Sequence, residues 1–284
     1  MPTRTVTHQY PAYRDDIGDL TTRRPLPGPD IEQLDPFLFL NHHGPQTYPP
    51  GNQGLPFGPH PHRGFETITF ILQGNLSHLD SGGHESIIGA GGVQWMTAGS
   101  GLVHAELSPE SFKREGGPLE ILQLWLNLPS RLKMTAPAYT GLQRESITVI
   151  NQDNAEIQLI SGEYARKEGP IRSLTQTCMM VVTLQAGAKV RLPAPSSRNV
   201  FLYVVNGSAE IASVVLEQHH LIALSGDADE VVIDSAQGST LLYGHAEPLN
   251  EPVVSYGPFV MNTQEEIQQA MADYRAGKFG QVPG

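Results

Sequence analysis

The apolar residues of this chain come in short bursts, and that limits its fold more than any other feature. Residues 66–72 (ETITFIL), 120–126 (EILQLWL), 178–184 (CMMVVTL), 200–205 (VFLYVV) and 230–233 (EVVI) are brief and rich in β-branched residues. Turn residues separate them: Gln73-Gly74-Asn75, Ser81-Gly82-Gly83, residues 89–92, Asn206-Gly207 and Gln237-Gly238. Short strands punctuated in this way describe an all-β sandwich or barrel. Asn206-Gly207, between VFLYVV and SAEIASVV, is the kind of pair expected in a two-residue hairpin. Charged residues make up 17% of the chain, too few for a fold built on long exposed helices. With 29 Gly and 23 Pro in 284 residues, the chain still falls below the composition of a disordered one.

One helix is expected near the end. Thr263 and Glu266 have the spacing of a capping box. Ile267, Ala270, Met271 and Tyr274 then share one face, and Gly277 is placed to end the helix. The strand–turn pattern occurs twice, near residues 34–128 and 178–244. The looser stretch around 128–145 reads as a connection, so the expected domains are 1–142 and 143–284. A chain of this length suits two domains, each with its own core.

The net charge of −11 repels phosphate backbones, so no direct nucleic-acid partner is expected. The single cysteine, Cys178, forbids an intramolecular disulfide and fits a reducing compartment. The first residues lack the apolar core of a signal peptide, and no apolar run approaches the ~18–20 residues that span a bilayer. The expectation is a cytoplasmic protein with no membrane partner.

Eleven histidines are present, and some have ligand spacing. His60 and His62 stand two apart ahead of a strand, and residues i and i+2 of an extended chain point the same way, about 6.5–7 Å apart. His104 and Glu106 repeat the spacing. Each pair taken alone fits either a metal site or something plainer, a turn-associated polar pair for the first and a surface ion pair for the second. Jointly they could supply three nitrogens and a carboxylate, with Gly64, Gly99 and Gly101 allowing close backbone turns beside them.

GPHPHRGFETITFILQG and WMTAGSGLVHAE resemble the two signature segments of the pirin family, a branch of the cupin superfamily. The likeness extends through LDPFLFLNHHG, LEILQLWLNLP and EPVVSYGPFVMNT, covering almost the whole chain. It implies a bicupin: two antiparallel β-barrels facing each other, with metal only in the amino-terminal one and a short C-terminal helix. It makes His60, His62, His104 and Glu106 the ligands. A rival comes from the general cupin pattern, which Gly54, His60, His62 and Glu66 fit. Glu66 shares the face of His62 if the strand runs regularly, which places it beside the ligands. Phe57, Phe65 and Trp95 are candidates for either the pocket wall or the core. His42-His43 departs from the family pattern and could alter substrate preference if its loop lines the barrel mouth. His78 and His84 read as turn residues, and His219, His220 and His245 as loop or strand-end residues in a half without metal.

Such a shell leaves open positions on an octahedral ion, which suits Fe(II); Mn, Ni, Co or Zn would also be accepted. The resemblance implies quercetin 2,3-dioxygenase chemistry on a small aromatic substrate with O2, Glu106 serving as the catalytic base. The alternative it implies is a non-enzymatic, iron-binding redox sensor acting on a regulatory protein partner.

Overall fold

The computed structural model of the chain describes residues 2–282. Strands predominate, and the described residues include two α-helices, Glu110–Glu115 and Gln264–Arg275. No helix among the described residues is long and apolar enough to cross a membrane.

The chain forms two compact units. A single cut near residue 142 accounts for its middle, but both termini cross that boundary. Among the described residues, the unit built on 38–144 also takes 14–22 and 249–282; the unit built on 145–248 takes 2–13 and 23–37. Local contacts explain the exchange. Strand Val6–Pro11 pairs antiparallel with His220–Leu224. At the other end, Met261, Ile267, Ala270 and Phe279 bury their side chains with Val103. The C-terminal helix starts as expected: Glu266 N–H donates to the Thr263 hydroxyl, and the Glu266 carboxylate accepts from the Thr263 N–H.

Neither unit closes into the barrel that the resemblance implied; each is an open pair of sheets. In the histidine-bearing unit, one ladder contains Ala138–Leu142, Val93–Thr97, Phe65–Gln73, Gly117–Asn127 and Phe37–Tyr48, in that order. The other runs Phe57–His62, Leu102–Leu107, Asn75–Asp80, Glu85–Gly89. Gly64 divides the two. Its φ of 90° is left-handed, and a Cβ there would lie 2.0 Å from the Val260 carbonyl oxygen. The chain therefore breaks between His62 and Phe65, and the strands on either side enter different sheets.

The second unit repeats the plan with seven and four strands. Its core is apolar, with Val190, Leu192, Val231 and Ile233 clustering with Met180, Val182, Leu202 and Tyr243. The Asn206-Gly207 hairpin is not formed. Strand Asn199–Gly207 pairs with His220–Leu224 and Ser239–Ala246, whereas Ala209–Ile211 belongs to the four-stranded sheet. The tight hairpin in this region joins Ala209–Ile211 to Val214–Leu216. Its Ala212 and Ser213 both take positive φ, the geometry of a type I′ turn.

Candidate metal centre

In the four-stranded sheet of the first unit, His104 pairs across to His60 on one side and Asp80 on the other, and Glu106 pairs with His78. Directly opposed residues of an antiparallel pair project on one face. His60, His62, His78, Asp80, His104 and Glu106 are therefore brought to the same side of the sheet. The ligand nitrogens of His60, His62 and His104 lie within 4.8 Å of one another, and the three rings stand 4.4–4.9 Å apart by centroid.

Hydrogen bonds fix the tautomers of two of these rings. His60 Nδ1 is 2.7 Å from the Gly58 carbonyl oxygen and His62 Nδ1 is 3.3 Å from that of Pro258. A carbonyl can only accept, so each Nδ1 carries the proton and each Nε2 keeps its lone pair. His104 is 1% exposed, and neither of its ring nitrogens has a partner. Burial, reinforced by His60, pushes the His62 pKa down to about 3. Burial and the neighbouring His62, His60 and His78 push that of His104 well below the ordinary histidine value. Neutral rings with free lone pairs are the form that binds a metal. The unmet lone pair of the neutral His104 ring fits a group that the protein itself does not supply.

Glu106 stays outside the three-histidine group. Pairing with strand Phe57–His62 slips by one residue between His104 and Glu106, so that Glu106 sits opposite Phe57. Its Oε1 accepts from Thr69 Oγ1 at 2.8 Å, and its Oε2 accepts from Gln123 Nε2. Both donors come from the seven-stranded sheet, where Thr69 and Gln123 are directly paired.

The same sheet corrects the placement of Glu66 and Trp95. Phe65 packs on His62 at 5.0 Å and Thr69 reaches Glu106, so the odd-numbered residues of this strand face the histidines. Glu66 lies on the opposite face, with Thr97 donating to its Oε1 at 2.7 Å. Trp95, paired with Ile68, shares that far face. The extrapolation from His62 fails because Gly64 interrupts the strand. Burial, opposed by hydrogen bonds from Thr97 and Trp95, pushes the Glu66 carboxyl up.

Phe57 is half-buried, with its ring 5.3 Å from that of His43. His42 and His43 lie within strand Phe37–Tyr48 rather than in a loop, and both are buried. His42 Nε2 meets Glu120 at 3.0 Å and His43 Nδ1 meets the Thr22 hydroxyl at 2.8 Å.

His78 is a strand residue, not part of the turn. It lies 5.5 Å from His104, stacks on Tyr139 at 3.9 Å, and its Nε2 meets Asp80 at 3.1 Å. Burial works against the Asp80 charge, but hydrogen bonds from His78 and His84 prevail and hold its pKa down at about 2. Trp125 was also missed. Its ring lies 4.4 Å from Phe65, 4.6 Å from Phe39 and 5.4 Å from His62. The signal was present in LEILQLWLNLP, where Gln123, Trp125 and Asn127 alternate with leucines. In a strand, that pattern sets one polar and aromatic face against an aliphatic one.

Two family models match the chain: pirin over residues 19–126 and the pirin C-terminal cupin domain over residues 179–280. A protein of Pseudomonas aeruginosa named "Putative quercetin 2,3-dioxygenase" is 39% identical over 250 residues, 87% of each chain. The crystal structure of quercetin 2,3-dioxygenase from Acinetobacter baumannii superposes with a TM-score of 0.92 at 34% identity, covering 99% of this chain and all of that one. A bacterial pirin from Escherichia coli, solved in complex with nickel(II), has the same fold, with a TM-score of 0.68 at 21% identity over 85% of this chain and 99% of its own. The chain belongs to the pirin family.

Proposed function

We propose that this protein is a metal-dependent dioxygenase that opens a flavonol ring of the quercetin type with O2, and that His60, His62, His104 and Glu106 hold its metal. The observation that carries this reading is His104, a buried ring with both nitrogens orphaned beside two histidines whose lone pairs are free. Similarity to quercetin 2,3-dioxygenases supports the substrate class.

Fe(II) is the proposed ion; Mn, Ni, Co and Zn suit the same donors. When bound, the ion supplies Lewis acidity toward the flavonol 3-hydroxyl and redox access to O2. The protein's own part is positional. Nδ1 bonds to Gly58 and Pro258 orient two of the ligand rings. Thr69 and Gln123 hold the Glu106 carboxylate, which takes the 3-hydroxyl proton as general base. Phe65 and Trp125 form an aromatic wall beside His62, against which a flavonol ring can stack.

The test is iron-reconstituted protein with quercetin in air, followed by loss of the flavonol absorbance. Turnover should disappear in His104→Ala with loss of bound iron, and in Glu106→Gln with a fall in kcat that exceeds the loss of iron. Wild-type protein with full iron occupancy that leaves quercetin intact would sink the enzymatic reading in favour of a regulatory one.

A further inference from the structure

The Glu106 carboxylate is bonded to the seven-stranded sheet, not to the histidines that share its own. Its Oε1 accepts from Thr69 Oγ1 at 2.8 Å and its Oε2 from Gln123 Nε2. Thr69 and Gln123 are directly paired neighbours, so the two donors stand side by side and take one oxygen each. We infer that this pair is a latch that holds Glu106 back from the three imidazoles, and that Glu106 becomes a ligand only by releasing Gln123. The inference rests on the metal-centre reading and is independent of any activity on flavonols.

Distance separates a latch from a support that pre-positions a ligand. Ligand atoms about 2.0–2.2 Å from one ion lie at most about 4.4 Å apart. The nitrogens of His60, His62 and His104 come within 4.8 Å of one another, and Glu106 does not join that group. The imidazoles need only close in, whereas the carboxylate has to travel. Strand register accounts for its position. His104 pairs with His60, but the slip that follows sets Glu106 opposite Phe57, one residue beyond the place that regular pairing would give it.

Hydrogen bonds to a charged carboxylate are the strong kind, so breaking one opposes metal binding. The two bonds differ in freedom. Thr69 is buried, and its β-branched side chain is stiff. Gln123 is half-buried on a longer, more flexible side chain, so its amide can swing aside. A carboxylate offers about four lone-pair sites, which lets Oε1 keep Thr69 while Oε2 is given up to an ion.

The test is the affinity of the full-length protein for Ni(II) near pH 7, measured by competition with a chelator of known affinity. Gln123→Met keeps the bulk and removes the donor, and it should bind Ni(II) about tenfold tighter, the scale of one hydrogen bond to a charged group. A side chain with only a structural role would not produce that gain. If Gln123→Met loses cooperative unfolding, Gln123→Ala replaces it with the same expected direction. Thr69→Val should bind close to wild type, because its bond persists in both states. The gain must run through the carboxylate, so Gln123→Met added to Glu106→Gln should bring none. A gain in Thr69→Val as large as in Gln123→Met would overturn the assignment of the moving bond. Unchanged or weaker binding in the Gln123 variants, with binding lost in His104→Ala, would overturn the latch and leave the metal centre standing. Undiminished binding in His104→Ala would remove the centre itself and the latch with it.

Discussion

His104 and Glu106, two residues apart on one strand, meet opposite fates. Glu106 has both oxygens engaged by Thr69 and Gln123, while His104 has both nitrogens buried and unpartnered. Each unsatisfied buried group costs about 1–3 kcal/mol, so without metal the ring is a liability that binding relieves. Replacing it by an apolar residue of similar size should remove both the liability and the site. His104→Leu is therefore expected to stabilise the chelator-treated protein by about 1–2 kcal/mol and to abolish metal binding. Urea midpoints of the metal-free proteins and their metal content after reconstitution check this together. A metal-free variant less stable than wild type would mean that the ring is satisfied in solution. At this scale the sequence was informative where chemistry is local. The H-x-H and H-x-E spacings allowed a shared site without deciding for it, and the family resemblance favoured it. His60, His62 and His104 do cluster, while Glu106 stays outside them. The prediction for Glu66 failed because a parity count assumes an unbroken strand, and the left-handed backbone of Gly64 lies inside the count.

Between elements, Lys133 has the leading role. Its Nζ is buried and donates to the Gly64 carbonyl at 2.9 Å, to Asn127 Oδ1 at 2.7 Å and to the Val260 carbonyl at 3.0 Å. Burial lowers its pKa to about 8. The ammonium thus ties the break at Gly64, the end of strand Gly117–Asn127 and the C-terminal hairpin strand Phe259–Met261 at one point. Lys133→Met should cost about 2–4 kcal/mol, since it fills the space but leaves three acceptors unpaired. Thermal unfolding of the metal-free protein measures it, and a loss below about 0.5 kcal/mol, the scale of a surface substitution, would show that water can replace the lysine. Nothing in LPSRLKMTAPAYT hints at this role, and the stretch reads as a bare connection. A lysine becomes buried only when distant acceptors converge on it, here from residues 64, 127 and 260. Helix Gln264–Arg275 was legible for the opposite reason, because a capping box is formed within four consecutive residues. Asn206-Gly207 misled because its positive φ serves a strand that leaves one sheet for another, while Ala212-Ser213 turns the hairpin without glycine.

Across the whole molecule, each unit is assembled from separated stretches of the chain. A strand–turn pattern that occurs twice and a looser stretch near 128–145 can be read in the sequence, but local pattern does not reveal which unit each terminus joins. Residues 249–282 complete the histidine-bearing unit. Arg63, next to His62, donates to Asp273 of the C-terminal helix at 2.9 Å and to the Ser100 carbonyl at 2.7 Å, and lies over the Phe279 ring. Asp273 is held well below the usual carboxylate range by hydrogen bonds from Lys278, Arg63 and Gln269. Pro258 supplies the carbonyl that orients His62. A chain ending at Pro248 keeps all four proposed ligands yet loses these supports, together with the apolar residues that cover Val103. It should lose metal binding and the cooperative unfolding of the first unit. The second unit retains its own core and should survive as a protease-resistant fragment that begins near residue 145, with the amino-terminal strand Val6–Pro11 still bound to it. Limited proteolysis with mass analysis, alongside metal content after reconstitution, separates the two effects. Full metal occupancy in the truncated chain would show that the four-stranded sheet positions the histidines without help from the C-terminal segment.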